Sequence, residues 1–259
     1  MAAVLELRGV SKHFGAVQAL QGVDFSVAAG EVMALVGDNG AGKSTLIKCI
    51  AGIHPIDGGE ILFEGRPVSV RGPKDAARLG IEIVYQDLAL ADNLDVVQNM
   101  FLGREDVTGP LKTLDETEME RRASETLASL SVTTIRSVRQ TVAGLSGGQR
   151  QSVAVAKAVM WNSKVVILDE PTAALGVAQT RQVLDLVKRL GDQGLAVILV
   201  SHNLHDVFEV AHSITVLRLG QDVARFAKED VTQAQVVEAI TAGKMRHVPG
   251  QAVEEEVLA

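Results

Sequence analysis

Cysteine, aromatic residues and long apolar runs are all scarce in this sequence of 259 residues. Cys49 is the only cysteine, so no disulfide can form within the chain, which fits a reducing compartment. Phe, Tyr and Trp make up 3% of the residues, so the core must be built from Leu, Val, Ile and Ala. We expect neither a secretory signal nor a membrane span, so that work at a membrane would need a partner that holds the chain there.

The sequence also lacks an excess of positive charge. Its formal net charge is −7, from 25 Lys and Arg against 32 Asp and Glu. Broad binding to nucleic acid depends on contacts of Lys and Arg with phosphates. We therefore expect no nucleic acid among the partners, although a local basic patch is compatible with this balance.

The sequence does contain a glycine-rich stretch, Gly37–Ser44 (GDNGAGKS), between an apolar run at 32–36 and a helix-favouring stretch at 45–51. This is the P-loop pattern G-x-x-x-x-G-K-[ST]. Its glycines let successive backbone N–H groups point into one phosphate-binding concavity, next to the positive end of a helix dipole. Lys43 can reach the β- and γ-phosphates, and the Ser44 hydroxyl can reach Mg²⁺. The stretch predicts nucleotide binding; a plain glycine turn before a helix is the alternative.

Polar side chains also follow three later apolar runs that predict strands. These side chains are Gln86, Asp169, Glu170 and His202. In α/β sheets, ligands bind at the carboxyl ends of the strands. Adjacent strand residues point to opposite sides, so we expect Asp169 and Glu170 to do different work, one for a metal and the other for a water. A structural ion pair is the alternative for the two carboxylates.

Two further features can each be interpreted in two ways when only the neighbouring sequence is considered. Ser146–Arg150 (SGGQR) is either a plain capped helix start or a second anion site. Phe14, in a turn predicted at 11–15, is either a packing residue or a stacking surface for a nucleobase. The remaining pattern predicts strands at 4–10, 20–27, 60–63, 213–219 and 222–227, a Gly/Pro-containing loop at 103–113, and helices at 74–79, 94–102, 115–130, 178–190, 203–210 and 232–242.

Taken together, these motifs resemble the ATP-binding cassette (ABC) ATPases over almost the whole chain. The order is P-loop, Gln86, Leu145–Gln149 (LSGGQ), Leu168–Pro171 (LDEP) and Ser201-His202. The LSGGQ element distinguishes this family from other P-loop proteins. The resemblance implies an α/β P-loop NTPase fold with a mostly parallel core sheet, an antiparallel β subdomain and a helical subdomain.

One ATP-binding domain over residues 1–245 is therefore expected. Residues 1–87 and 161–245 would form the core with the β subdomain, and 88–160 the helical subdomain that carries the LSGGQ element. Residues 246–259 are expected to be an acidic tail without fixed structure.

The resemblance also implies a role for each matching residue. Catalysis would fall to Lys43, Gln86, Glu170 and His202, with Glu170 polarising the attacking water. Mg²⁺ would be held by Ser44, Gln86 and Asp169. ATP would be bound by Phe14, Gly37, Asn39, Gly40, Ala41, Gly42, Lys43, Ser44 and Thr45 of one copy and by Ser146, Gly147, Gly148 and Gln149 of a second copy.

This sharing of sites implies a head-to-tail homodimer with two ATP molecules at its interface. Water would attack the γ-phosphorus in line, and hydrolysis would release a dimer that ATP holds closed. The implied partners are an integral membrane permease, which would contact residues 87–103, and indirectly a periplasmic sugar-binding protein. The implied location is the cytoplasmic face of the inner membrane, reached through the permease.

A narrower resemblance is to the ATPases of ribose, xylose and fructose importers, carried by Gly37–Gly40 (GDNG), Tyr85–Leu90 (YQDLAL) and Pro171–Val177 (PTAALGV). Members usually fuse two cassettes, whereas this chain has one, as in fructose-type importers, so a homodimer is required. Gly176 stands where most cassettes have an Asp that links the two ATP sites. The resemblance therefore leaves the communication between those sites open.

Two other functions compete with transport. A soluble ABC ATPase acting on ribosomes or DNA would usually carry paired cassettes, coiled-coil insertions or zinc-binding cysteines, which this sequence lacks. A cassette that senses ATP without turnover is opposed by Glu170 and His202. The sequence favours an ATPase that powers monosaccharide import.

Overall fold

The computed structural model of the chain describes residues 3–243. The acidic tail expected at 246–259 lies outside these described residues. Strands occur at β1 (Ala3–Phe14), β2 (Val17–Ala28), β3 (Val32–Val36), β4 (Gly58–Phe63), β5 (Arg66–Val68), β6 (Ile81–Val84), β7 (Val107–Thr108), β8 (Thr113–Leu114), β9 (Val165–Asp169), β10 (Ala196–Val200), β11 (Ser213–Arg218) and β12 (Gln221–Ala227).

The helices follow the predicted pattern closely. Those predicted from apolar periodicity are present, and their ends differ from the prediction by at most two residues. They are α1 (Lys43–Ile50), α2 (Pro73–Leu79), α3 (Val96–Phe101), α4 (Glu116–Ser129), α5 (Gly147–Val159), α6 (Val177–Asp192), α7 (Leu204–Val210) and α8 (Gln233–Ala242).

The larger sheet organises the molecule. Within residues 3–243 it has six strands in the order β12-β11-β3-β10-β9-β6, with β12 antiparallel to β11 and the other neighbours parallel. Both β3 and β10 are buried along their whole length, as central parallel strands are when both faces are covered. The carboxyl ends of β3, β10, β9 and β6 therefore lie along one edge of the sheet.

Alternate residues of the central strands face two different cores. Val166 and Leu168 pack with helices α3 to α6 on one face. Val165 and Ile167 pack on the other face with α1 and the smaller sheet. This two-sided burial fixes the register of β9, because a slip by one residue would exchange the two faces.

The smaller sheet is antiparallel, in the order β2-β1-β4-β5. The turn predicted at 11–15 is wrong in its extent, because β1 continues to Phe14. Lys12 pairs with Leu20 and His13 with Gln18, so the backbone of these residues is used in the ladder and the turn is confined to Gly15 and Ala16. Phe14 consequently lies at a strand end.

The edge strands of the two sheets protect each other. Gln21 of β2 donates its main-chain N–H to the carbonyl of Gly220, which precedes β12. Further along, Arg225 donates to the hydroxyl and the carbonyl oxygen of Ser26. These contacts occupy backbone groups that an exposed edge would otherwise offer to another chain.

Helices α3, α4 and α5 pack against one another around Phe101, Met119 and Val153. The loop predicted at 103–113 contains a short hairpin instead, with Val107 paired to Leu114 and Thr108 to Thr113. β-Branched residues favour the pleated conformation, and a positive φ of +70° at Gly109 closes the turn. None of the helices within residues 3–243 is both long and apolar enough to span a bilayer.

Candidate nucleotide-binding site

The loop after β3 approaches the backbone of other elements so closely that glycine is required. At Gly37 φ is +150°, and a Cβ there would lie 2.1 Å from the carbonyl oxygen of Leu217. At Gly42 φ is +107°, and a Cβ would lie 2.9 Å from the carbonyl oxygen of Ala19. Gly42 is also the N-cap of α1, so the loop delivers the free N–H groups of this helix end to the edge of the sheet.

Lys43 lies inside the curve of this loop. Its ammonium group donates to the main-chain oxygens of Gly37 at 2.6 Å and Asp38 at 3.0 Å. Burial lowers the pKa of Lys43, while the charges of Glu170 and Asp169 oppose that shift. A positive charge is therefore held among backbone dipoles at the point where the loop can surround an anion.

The ends of four strands meet in one cavity of about 620 Å³. This volume is in the range of about 300–1,000 Å³ that is usual for small-molecule sites. Its lining includes, from the predicted site, Asn39, Gly40, Ala41, Gly42, Lys43, Ser44, Thr45, Gln86, Asp169, Glu170 and His202.

The two carboxylates line this cavity together, although adjacent strand residues were expected to point to opposite sides. Asp169 is the last residue of β9, whereas Glu170 has a positive φ of +51°. This left-handed conformation turns the chain off the strand, and the main-chain N–H of Glu170 donates to the carbonyl of Val200 at 2.9 Å. The alternation rule fails here because Glu170 is no longer part of the pleat.

Charge and a histidine contact distinguish the two carboxylates. Burial, and then the neighbouring charge of Glu170, raise the pKa of Asp169, while Lys43 and Lys48 act in the opposite direction. Glu170 places Oε2 at 2.8 Å from Nδ1 of His202. His202 is 71% exposed at its side chain and Glu170 is 16% exposed, so the histidine covers the carboxylate from the solvent side.

The donor set fits a magnesium ion carried by a nucleotide. Ser44, Gln86 and Asp169 supply a hydroxyl, an amide and a carboxylate to the same cavity. Mg²⁺ prefers oxygen ligands and is usually bound by one or two carboxylates together with phosphates and water. Within residues 3–243, no group of three or more His, Cys, Asp or Glu residues that could hold a metal ion is found.

Two of the nucleotide contacts predicted for the same copy, Gly37 and Phe14, lie outside the main cavity. Gly37 lines a neighbouring cavity of about 220 Å³ together with Asp38, Asn39 and His202. Phe14 is 44% exposed, and its ring makes an edge contact with the ring of His54, with centroids 5.0 Å apart.

The rim of the cavity includes apolar residues that motif reasoning missed. Val17 and Leu219 line the cavity and are 65% and 68% exposed. Val17 begins β2, and Leu219 lies in the turn between β11 and β12, so the two come from distant parts of the chain. A single exposed aliphatic residue at a strand end or in a turn has no sequence signal, which explains why neither was predicted.

The LSGGQ element lies at the start of α5 and does not line the main cavity of its own chain. Ser146 caps the helix by accepting from the N–H of Gln149, and the Gln149 side chain accepts from the N–H of Ser146 at 2.8 Å. Ser146 and Gly147 are exposed, whereas Gly148 is buried against Gln179 of α6. This helix end therefore presents a hydroxyl and free N–H groups to the outside of the molecule.

Fold and site together define a P-loop nucleoside triphosphatase. A family model described as ABC transporter matches residues 20–173. The chain is 46% identical over 246 residues to the fructose import ATP-binding protein FrcA of Rhizobium meliloti, a match that covers 93% of this chain and 95% of that protein. It is also 46% identical over 241 residues to the xylose/arabinose import ATP-binding protein XylG of Sulfolobus acidocaldarius, with coverage of 93% and 95%.

The fold of the chain is also similar to the folds of solved ATP-binding cassettes. A nucleotide-free ATP-binding cassette from an ABC transporter superposes with a TM-score of 0.79 at 27% identity, covering 93% of this chain and 96% of that one. A dimeric, post-hydrolysis cassette bound to ADP and Pi superposes with a TM-score of 0.71 at 25% identity, with coverage of 86% and 98%. The chain belongs to the ATP-binding cassette (ABC) transporter family, and it is an ABC-type ATPase.

Proposed function

We propose that this chain is the ATP-hydrolysing subunit that powers import of a monosaccharide through a membrane permease. One observation carries the proposal: the P-loop, Gln86, both carboxylates and His202 line a single cavity. The direction and the cargo follow from the relatives, which are named for the import of fructose and of xylose or arabinose. A fructose, ribose or xylose-like sugar is therefore the proposed cargo.

The phosphates of ATP would lie along the P-loop. Main-chain N–H groups of the loop and of the first turn of α1 would donate to the phosphate oxygens. The Lys43 ammonium is positioned to exchange its carbonyl partners for β- and γ-phosphate oxygens. Ser44, Gln86 and Asp169 would hold Mg²⁺, which would neutralise negative charge on the phosphates.

The attacking water would be held by Glu170. Its carboxylate lies at the cavity wall, where it can accept a hydrogen bond from water and orient it for in-line attack. His202 is 2.8 Å from this carboxylate and also lines the neighbouring cavity next to Gly37. His202 can therefore contact both the carboxylate and a γ-phosphate, so that catalysis rests on positioning and charge stabilisation.

The second wall of each site would come from a second copy. Ser146 and Gly147 are exposed and lie outside the cavity of their own chain, so they would bind a γ-phosphate that belongs to the partner copy. A head-to-tail homodimer would then enclose two ATP molecules. The dimer would close on ATP and open after hydrolysis, because the γ-phosphate is the group that both copies bind.

A permease would connect this cycle to transport. The segment 87–103 after Gln86 is the proposed contact with the permease, and through it the chain would lie at the cytoplasmic face of the inner membrane. A periplasmic sugar-binding protein would deliver the cargo from the other side. No helix within the described residues is long and apolar enough to cross the bilayer, and the proposed association is peripheral, through the permease.

A substitution of the water-holding carboxylate tests the ATPase part of the proposal. Glu170→Gln keeps the shape of the side chain and removes its charge, so turnover should fall by about 10²-fold or more. Binding of ATP to the monomer should stay near that of the unmodified chain. Turnover close to that of the unmodified chain would remove Glu170 from its proposed role.

Purification from membranes tests the transport part. The tagged chain, extracted in mild detergent from cells grown on a monosaccharide, should bring an integral permease with it. Uptake of labelled fructose, ribose and xylose in a strain lacking the chain would identify the cargo. Recovery with ribosomes or DNA instead of a permease would favour the soluble ABC ATPase considered above.

A further inference from the structure

The segment that follows Gln86 is paired with the segment that leads into α5. We name them segment A (residues 91–97) and segment B (residues 138–145). Main-chain hydrogen bonds of 3.0–3.2 Å join Val142 N to Leu94 O, Ala143 N to Asp92 O, Val96 N to Gln140 O and Val97 N to Val138 O. A chain segment that begins five residues after the cavity-lining Gln86 is thereby fastened to the residues directly before Ser146.

A buried amide holds segment A in this shape. Asn99 of α3 is fully buried, and its Oδ1 accepts from the N–H of Ala91 at 2.7 Å. Its Nδ2 donates to the carbonyl oxygens of Ala91 at 3.0 Å and Asp95 at 2.9 Å. An apolar side chain would leave the N–H of Ala91 without this acceptor, whereas the carbonyl oxygens of Ala91 and Asp95 would keep the main-chain N–H groups of Leu94 and Asn99 as donors. The buried amide therefore ties the first residue of segment A to α3.

An ion pair closes the connection on the other side. Arg150, the residue after the LSGGQ element, donates from Nη1 to Oδ1 of Asp92 at 2.7 Å. The same guanidinium donates to the carbonyl oxygens of Ala143 at 3.3 Å and Leu145 at 3.4 Å. One side chain of α5 thus contacts segment A and the last residues of segment B together.

We infer that Asn99, Asp92 and Arg150 are positioning residues that make the start of α5 move as one body with the segment after Gln86. The inference rests on the proposed function, because it concerns the presentation of Ser146 to the ATP of a second copy. Gln86 lines the nucleotide cavity and Ala91 is five residues further along the chain. A displacement near Gln86, from nucleotide or permease, would reach Ser146 through these contacts.

The ion pair offers the cleanest test, because the exposed Asp92 side chain can be replaced without opening the core. Asp92→Ala and Arg150→Ala, each in a Glu170→Gln background, should weaken ATP-dependent dimerisation by roughly 3- to 10-fold. Binding of ATP to the monomer should be unchanged. With Glu170 intact, the chain concentration that gives half-maximal ATPase activity should rise, while the rate at saturating chain concentration stays the same.

A matched control separates positioning from general loss of charge. Arg121 and Glu125 form a pair of similar length, 2.6 Å, on the exposed side of α4. Arg121→Ala and Glu125→Ala should leave dimerisation at the level of the parent. The exchanged pair, Asp92→Arg with Arg150→Asp, should recover at least part of the dimerisation that either single substitution loses, and the two alanine substitutions combined should cost no more than the larger single effect.

The possible results separate a failure of this inference from a failure of the proposed function on which it rests. If the Glu170→Gln parent fails to dimerise with ATP, both the shared site and the inference are overturned. If the parent dimerises and Asp92→Ala and Arg150→Ala do so equally well, only the inference is overturned. Weaker dimerisation of these two variants, with normal monomer binding and recovery in the exchanged pair, supports it.

Discussion

At the scale of single residues, the site depends on Glu170, whose backbone departs from the extended conformation of β9. Glu170 reaches the cavity because its φ is +51°, which takes it out of the alternation of β9. A non-glycine residue in this conformation costs of the order of 1–2 kcal/mol, which the surrounding hydrogen bonds must offset. The main-chain bond to Val200 and the contact with His202 are two such interactions.

Cys49 gives a prediction at the same scale. It is buried in α1, and burial raises the pKa of its thiol to about 11. At pH 8 roughly one molecule in a thousand would carry the reactive thiolate, so the native chain should resist a thiol reagent for hours. Full labelling of one thiol per chain should follow within minutes in denaturant.

The measurement is the time course of labelling at pH 8, with and without denaturant. Because Cys49 is the only cysteine, the denatured sample calibrates the stoichiometry. Rapid labelling of the native chain would mean that α1 opens far more readily than its burial implies.

At the scale of elements, the sequence predicted helices better than strand ends. The helix predicted at 115–130 is present as α4, and Asp115 is its N-cap, which accepts from the N–H of Glu118. The end of β1 was missed because Lys12, His13 and Phe14 have no alternating pattern. Their strand conformation comes from pairing with β2, a tertiary contact that local propensity does not contain.

The P-loop gives the prediction at this scale. Gly37→Ala would place a Cβ 2.1 Å from the Leu217 carbonyl oxygen, so it should lower the free energy of unfolding by about 3 kcal/mol or more. Gly65→Ala is the control, because its φ of +73° is also positive but its Cβ would meet nothing within 4 Å. The control should lose about 1–2 kcal/mol from backbone strain alone.

Urea unfolding of both variants without nucleotide would measure these losses. Equal losses would contradict the close approach between the loop and Leu217 of β11. If the Gly37→Ala variant is as stable as the unmodified chain, the loop must be able to move away from Leu217. Its shape would then not be fixed before nucleotide binds.

At the scale of the whole molecule, the parallel sheet is what assembles the site. Four strands that are distant in sequence end along one edge, and the residues that follow them line one cavity. The same arrangement leaves the LSGGQ element outside that cavity, at the exposed start of α5. One copy therefore presents two incomplete halves of the proposed site on different parts of its surface.

Dimerisation gives the prediction at this scale. Ser146→Arg would place a large side chain on the surface that should receive the partner's γ-phosphate, so ATP-dependent dimerisation should be lost. ATP binding to the monomer should persist, because Ser146 does not line that cavity. Gly148 is a poorer choice, since a Cβ there would lie 3.1 Å from Cβ of Gln179 and would disturb the monomer.

Thr232→Arg is the matched control, because Thr232 caps α8 with the same capping box that Ser146 uses at α5. Both substitutions remove an N-cap, at a cost of about 1 kcal/mol, but only Ser146→Arg should block the dimer. Size-exclusion chromatography with light scattering, in the Glu170→Gln background with ATP, would separate the two. A closed dimer of the Ser146→Arg chain would refute the shared site.

The sequence by itself determined the nucleotide chemistry, because the P-loop, LSGGQ and LDEP elements are local patterns whose spacing is read directly from the chain. It also determined most helices, since periodicity and capping act over a few residues. Only the tertiary structure decided which residues share the cavity, that Val17 and Leu219 form part of its rim, and that Asp169 and Glu170 face it together. These features depend on strand pairing and on the backbone turn at Glu170. They cannot be predicted from any short stretch of sequence, because they arise from contacts between residues that are far apart in the chain.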